Sequence, residues 1–201
     1  MKKLLTLFAL SLLSACVVFL RDYEVMENSE NSSFAPSWII QSKAHRAEKP
    51  SDTTKYRYFV GSADNTHLRL CLKTSELNAI KKISSETSSE IVKKANKQNK
   101  TKKNSDIPNL KDDMEKNILV NLQGISIVGE YWEKRHYLKE KGAKEEYYSY
   151  KCDTVVKIKK SALINAIETY LEKIQNTLKD KNKKIIKEAA SSYLIDLKAG
   201  Q

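Results

Sequence analysis

Residues 146–159 read Glu-Tyr-Tyr-Ser-Tyr-Lys-Cys-Asp-Thr-Val-Val-Lys-Ile-Lys, and this stretch decides the fold. One set of alternate positions is aromatic, apolar or small, while most positions between them are polar. A period of two predicts a β-strand with one buried face. The inward set is Tyr148, Tyr150, Cys152, Thr154, Val156 and Ile158, and the outward set is Ser149, Lys151, Asp153 and Lys157.

A second run of β-branched and aromatic residues, 124–138, precedes this strand. Residues 139–145 separate the two runs and are polar, with Gly142 at their centre. Two such runs on either side of a short glycine-containing segment predict a long antiparallel hairpin. A further short strand, Tyr56–Val60, is predicted to end at Gly61.

Helical periodicity dominates the rest of the chain. Residues 64–98 contain no Gly or Pro and carry apolar or small residues at three- and four-residue steps, from Leu68 to Ile91. This pattern predicts a long amphipathic helix, capped by Asp64 or Asn65. Shorter helices are predicted over about 106–122, after a cap at Ser161, and over about 183–198. The fold class is therefore α+β, with an antiparallel hairpin and an edge strand packed against long amphipathic helices.

The amino terminus has the anatomy of an export signal. Lys2 and Lys3 precede an apolar run from Leu4 to Leu13, which is too short to span a bilayer. The following Leu13-Ser-Ala-Cys16 resembles a bacterial lipobox, so residues 1–15 are predicted to be a lipoprotein signal peptide and Cys16 the lipidated residue. Two alternatives are an ordinary secretory signal and an uncleaved signal anchor that extends to Leu20. Because Val17 follows the cysteine, the sorting rule of enteric bacteria favours the outer membrane.

Residues 16–55 are rich in Ser, Asn and Glu and lack a sustained period, which predicts a flexible tether. Within it, the apolar stretch 34–40 is expected to dock on the domain, with Trp38 in contact with the core. The α+β domain is predicted over 56–178, and residues 179–201 are predicted to form a separate basic helix.

Four features together resemble the twenty-kilodalton bacterial envelope lipoprotein family, which includes the FlgP-type flagellar basal-disc lipoproteins. They are the lipobox, the Pro36-Ser-Trp38 element, the Val60-Gly61-Ser62 strand end before a long helix, and a late strand pair with an aromatic second strand. The long helix departs from the family's usual Ala-x-x-x-Ala series. The resemblance implies a non-catalytic lipoprotein, some of whose relatives assemble into rings or discs beneath the outer membrane.

The composition argues against an enzyme. Five glycines leave no glycine-rich phosphate loop, and His45, His67 and His136 are not paired at metal-ligand spacing. Glu130, Glu133 and His136 are close in sequence, but positions 130 and 133 of a regular strand point to opposite faces. We therefore expect no catalytic residues, no metal and no cofactor.

Cys71 and Cys152 remain once Cys16 is assigned to lipid. Outside the cytoplasm they can form a disulfide that joins the long helix to the sheet. Alternatively, both are free thiols buried on apolar faces.

The chain has 36 Lys and Arg residues against 25 Asp and Glu residues, a net charge of +11. Part of this excess lies in a cluster of lysines between residues 93 and 103. This lysine cluster can bind an anionic envelope ligand, or it can simply be a solvated surface. Nucleic acid is not an expected partner, because the lysines lack interleaved stacking aromatics. The cluster comprises Lys93, Lys94, Lys97, Lys100, Lys102 and Lys103.

The predicted function is that of an outer-membrane-anchored structural or assembly lipoprotein, associated with the flagellum in its most specific form. Its partners would be the membrane, through the lipid, and other envelope proteins or further copies of itself. The alternative is a monomeric periplasmic or surface binding protein for an anionic envelope ligand.

The aromatic residues of the hairpin are predicted as the partner surface, because Tyr and Trp are enriched at interface hot spots. They can equally well cover the core. These residues are Tyr131, Trp132, Tyr137, Tyr147 and Tyr150.

Overall fold

The protein is described here from a computed structural model that covers residues 21–32, 35–40, 54–98, 107–175 and 180–199. Cys16 and residues 41–53 lie outside the described residues. The elements are β1 (Tyr23–Asn28), α1 (Ser37–Ile40), β2 (Tyr56–Asn65), α2 (Leu68–Gln98), α3 (Ile107–Asn121), β3 (Ser126–Tyr137), β4 (Tyr147–Lys159), α4 (Lys160–Ile174) and α5 (Asp180–Ala199).

The four strands form one sheet in the order β1-β3-β4-β2, and every neighbouring pair is antiparallel. The α+β prediction is therefore confirmed. The predicted hairpin is β3–β4, whose register runs from Tyr137 opposite Tyr147 to Ser126 opposite Lys157. Gly142, in the connection, has a φ of 103°, a left-handed conformation that favours glycine.

The long helix α2 lies across β2 and β4 on one face of the sheet. Cys71 and Cys152 form a disulfide there, with their Cα atoms 5.7 Å apart. One turn further along, the Ser75 and Thr154 hydroxyl oxygens lie 2.6 Å apart, within hydrogen-bond distance. A covalent bond and a polar contact thus join the first turns of α2 to β4.

Gly61 does not end β2, contrary to the prediction, because the strand continues to Asn65. A Cβ atom at position 61 would lie 2.1 Å from the Ala79 amide nitrogen and 2.2 Å from the Ser75 carbonyl oxygen. The absence of a side chain at Gly61 therefore lets the strand backbone lie close against the helix backbone. Asn65 precedes α2, and its Oδ1 accepts a hydrogen bond from the His67 amide at 2.9 Å. The His67 carbonyl accepts the first helical hydrogen bond, from the Cys71 amide, so His67 and not Asp64 or Asn65 is at the N-cap position.

The main core lies among the helices and the helix-facing side of the sheet. Helix α5 packs against α2 and α4, so the basic C-terminal helix that the sequence set apart contributes to the same core as the rest of the domain. Ser161 is not the cap of α4, because the helix begins at Lys160 and no side chain caps it. Fully buried members of this core include Ile83, Ile91, Met114, Ile118, Leu163, Ile167, Tyr170 and Ile186.

The other face of the sheet is also partly covered, which corrects the prediction of a single buried face. Val155 is fully buried there and Asp153 is 3% exposed, although both positions point away from the helices. Trp38 of α1 packs against Tyr131 and Val155 to form a second, smaller core.

Part of the predicted tether is thus ordered structure, because β1 also pairs with β3. The docking of the Trp38 segment agrees with the expectation from sequence. Among the described residues, no helix combines the length and the apolarity needed to cross a bilayer.

Candidate functional site

A groove of about 1320 Å³ lies on the sheet face opposite the helices. Its floor comes from the three strands β1, β3 and β4 together with Ser62 of β2, and Ala35 and Ile39 form part of its wall. Because side chains alternate along a strand, each strand contributes every second residue to this floor. The floor includes Tyr23, Ser62, Tyr131, Glu133, Arg135 and Asp153.

Glu133 is the centre of a charged network in the groove and is 8% exposed. Its Oε1 accepts a hydrogen bond of 2.5 Å from Arg135 Nε and also contacts Arg135 Nη2. Its Oε2 accepts a hydrogen bond of 3.2 Å from the Tyr131 hydroxyl. Burial, together with the nearby Glu133 carboxylate, raises the pKa of Tyr131 to about 12, so this hydroxyl remains a donor at neutral pH. Both oxygens of this buried carboxylate are therefore occupied.

Asp153 lies beside this network on β4. Its Oδ1 accepts a hydrogen bond from the Ser62 hydroxyl of β2. Burial raises the pKa of Asp153 above its usual value, and the Ser62 hydrogen bond and the charge of Lys151 partly oppose that rise. A buried carboxylate destabilises a fold unless it is well compensated, so Asp153 is a candidate for a role in binding.

A row of tyrosines continues the same face beyond the charged network. The rings of Tyr137 and Tyr147 stack with centroids 4.6 Å apart, and Tyr23 lies 5.4 Å from Tyr137. The Arg135 guanidinium lies 4.1 Å from the centre of the Tyr23 ring, a cation–π distance. Tyr147 is 46% exposed, so the row ends at the surface.

The structure divides the five aromatics predicted as a partner surface. Tyr131, Tyr137 and Tyr147 share the groove face, and Tyr131 is buried at its base. Trp132 and Tyr150 lie on the helix-facing side, where their rings meet edge to face at 5.9 Å. They therefore do not belong to one surface.

The predicted basic cluster is only partly described, because Lys100, Lys102 and Lys103 lie outside the described residues. Lys93 and Lys97 are exposed on α2. Lys94 forms a 2.5 Å ion pair with Asp196 of α5 and also donates to the Ser192 hydroxyl at 3.3 Å. Lys94 therefore ties two helices together.

Within the described ranges, no group of three or more His, Cys, Asp and Glu side chains is placed to hold a metal ion. Glu130 and Glu133 lie on opposite faces of β3, as expected from strand alternation. His136 contacts Glu146 at 3.0 Å and stacks on Tyr148, whose ring centre is 4.2 Å away. The three residues considered as an acid–base cluster are therefore not brought together.

The sequence did not identify the Glu133–Arg135 pair and the neighbouring Asp153 as polar groups on one covered face of the sheet. A signal was present, because Thr154, Val155 and Val156 form an uninterrupted run of β-branched residues. Such a run is typical of a strand covered on both faces, where polar residues on the second face are also buried.

Comparison of the chain with protein-family models, curated proteins and solved structures finds no match in any of the three.

Proposed function

We propose that the chain is a lipid-anchored, non-catalytic protein of the bacterial outer membrane whose α+β domain binds other envelope proteins or further copies of itself. The anchor is proposed from the Leu13-Ser-Ala-Cys16 tetrapeptide. In its most specific form, implied by the family resemblance, the assembly belongs to the flagellar basal structure. The groove on the second sheet face is the observation that carries the binding role.

Three properties of this groove favour a protein partner. It is large and open, and it combines tyrosines with a partly buried arginine, residue types that are enriched at interface hot spots. Its Asp153 carboxylate lies on strand β4, where it can position a donor of a partner. Val25, which is 40% exposed, adds apolar area to the groove, and the 46% exposed ring of Tyr147 lies on the same face of the sheet.

The lipid anchor is tested by labelling cells with a palmitate analogue. Wild-type chain is expected to incorporate the label, and Cys16→Ser is expected to lose both the label and the membrane association. Retention of both properties by Cys16→Ser would show that the anchor is not at Cys16.

The binding surface is tested by a photo-cross-linking amino acid placed at position 147 of the full chain in living cells. The matched control is position 120 on α3, where Val120 is 82% exposed in the helical layer. A discrete cross-linked product at position 147 but not at position 120 supports the proposal. Products of equal yield at both positions, or none at 147, contradict it.

A further inference from the structure

The groove on the second sheet face contains one buried carboxylate that lacks an ion pair. Three of the described residues that line this groove are acidic. Glu133 pairs with Arg135, and Glu27 lies 3.5 Å from Lys134. Asp153 is 3% exposed, and none of the ion pairs among the described residues includes it. A buried charge is costly unless it is paired, so Asp153 is the carboxylate of the groove that needs a counter-ion.

Two cations act on Asp153 through space, and each is paired with another carboxylate. Arg135 contacts Glu133 through both Nε and Nη2, and Lys151 Nζ lies 3.2 Å from Asp64. Burial raises the pKa of Asp153, and the charges of Lys151 and Arg135 only partly oppose that rise. The described cations near Asp153 therefore compensate its charge incompletely.

Arg21 is the remaining basic residue among the described residues of the groove lining, and it lies near the hairpin turn. Its guanidinium is 5.8 Å from the centre of the Tyr23 ring, and Tyr23 pairs with Tyr137 of β3. Asp153 pairs with Tyr131 of the same strand, which is about 20 Å from Tyr137 at the usual rise of a strand. Arg21 is therefore not the counter-ion of Asp153.

The Oδ2 atom of Asp153 faces the open groove. Oδ1 accepts a hydrogen bond from the neutral Ser62 hydroxyl, and Oδ2 has no hydrogen bond with a described residue. In the described part of the chain, the fully enclosed side-chain polar atoms that lack a hydrogen bond are Thr87 Oγ1 and Tyr170 OH. Oδ2 is not one of these enclosed atoms, so a donor that enters the groove can reach it without displacing Ser62.

We propose that this groove receives an arginine side chain of the partner polypeptide, and that its guanidinium pairs with Oδ2 of Asp153. The guanidinium supplies both the missing charge and a donor, and it is more weakly hydrated than an ammonium group, which favours it for interface ion pairs. Ala35 and Ile39 in the wall provide apolar surface for the methylene stem of the arginine. The arginine site rests on the proposed function, because it names the chemistry of the partner that the groove binds.

The test is an NMR titration of the isotope-labelled full chain with a capped alanine heptapeptide that has one central arginine. The matched peptide carries citrulline, which keeps the shape of arginine but has no charge. The arginine peptide is expected to shift the amide signals of Ser62, Tyr131 and Asp153. It should bind about tenfold more tightly than the citrulline peptide, because the neutral peptide lacks a charge-assisted hydrogen bond. Equal binding of the two peptides, or binding of neither, overturns the proposal.

Variants locate the binding. Asp153→Asn removes the charge and keeps an acceptor for Ser62, so it should abolish the preference for the arginine peptide. The control is Glu130→Gln, which removes a carboxylate from an exposed position on the other face of β3 and should leave the preference unchanged. In the wild type, the preference should also weaken on acidification, because a protonated Asp153 no longer pairs with a cation. Equal losses in the two variants would show a general charge effect and overturn the arginine site.

The cross-link at position 147 separates the arginine site from the proposed function. The yield of the product should fall when Asp153→Asn is introduced into the same chain. A product that forms in the wild type and is unchanged in Asp153→Asn would overturn the arginine site and leave the proposed function standing. Absence of the product in the wild type would contradict the proposed function, whereas the peptide titration would still decide whether Asp153 binds arginine.

Discussion

At Gly61 the backbones of β2 and α2 lie so close together that no side chain fits between them. The nearest atoms to a Cβ at this position would be backbone atoms of Ala79 and Ser75, which cannot move independently of the helix. Ala79 is itself fully buried. One residue therefore sets the separation between the sheet and its longest helix.

Gly61→Ala is expected to lower the free energy of unfolding by about 3 kcal/mol or more, because an overpacked core must move backbone. Urea denaturation of the full chain measures this loss. Ala79→Gly in the same chain should not restore stability, since the clash is with the backbone of position 79. Gly129→Ala is the control, with its nearest contact at 3.1 Å to a Val155 side-chain methyl, and it should be less damaging.

Asp153 links stability to pH. Burial raises the pKa of Asp153 above its ordinary value of 3.8, so the folded state binds this proton more tightly than the unfolded state. The ionised carboxylate therefore destabilises the fold above the folded-state pKa, and that cost disappears below pH 3.8.

Asp153→Asn, which keeps an acceptor for Ser62, should raise the melting temperature at neutral pH, and the gain should vanish on acidification. Thermal unfolding across pH checks this. Asp64→Asn is the control at an exposed carboxylate, paired with Lys151 at 3.2 Å, and should change little. A lower melting temperature for Asp153→Asn at neutral pH would show that the carboxylate stabilises the fold.

Among the elements, α2 and β4 are joined by the Cys71–Cys152 disulfide, which spans a sequence separation of 81 residues. In the chain-entropy account, closing a loop of this length stabilises the fold by about 4 kcal/mol. The double variant Cys71→Ala/Cys152→Ala should lose about this amount in chemical denaturation, and reduction of the wild type should have a similar effect. Two free thiols in mass mapping of the non-reduced protein would contradict the account.

The sequence predicted the helices and strands that bury one face against the rest of the domain, because their apolar residues then repeat at regular intervals. The hairpin and α2 belong to this class, since their inward positions repeat at steps of two or of three and four. Strand β1 was missed because residues 23–28, Tyr-Glu-Val-Met-Glu-Asn, have little buried side-chain surface. It joins the sheet through backbone pairing with β3, which leaves no hydrophobic pattern in the sequence.

Segment α1 is expected to be held by one side chain. Trp38, at 7% exposure, packs on Tyr131 and Val155. Trp38→Ala should lower the free energy of unfolding by about 3 kcal/mol, as large aromatic truncations in cores do. Trp132→Ala, at a half-buried position on the other face, should lose about 1 kcal/mol. Equal losses in denaturant titrations would contradict the assignment of Trp38 to a core.

In the whole molecule, the two faces of the sheet have different roles. The helix-facing side holds the main core and the disulfide, whereas the opposite side holds a small core, a buried charged network and a row of tyrosines. The sequence predicted that hairpin tyrosines form a surface. The alternation that places Tyr150 in the inward set of β4 also puts Tyr147 on the opposite face, but the sequence did not predict that this opposite face holds a second core and a groove. Membership of the envelope lipoprotein family, which the sequence resembles, stays a prediction.

Native electrophoresis of detergent-solubilised cell envelopes tests the claim that the sheet face carrying Tyr23, Tyr137 and Tyr147 is an interaction surface. Tyr147→Ala and Tyr148→Ala form a matched pair, since the residues are adjacent, 46% and 50% exposed, and on opposite faces of β4. We expect wild type and Tyr148→Ala to migrate as an assembly larger than one chain, and Tyr147→Ala to shift towards the single chain. An unchanged assembly in Tyr147→Ala, or a wild type that migrates as a single chain, would contradict the claim.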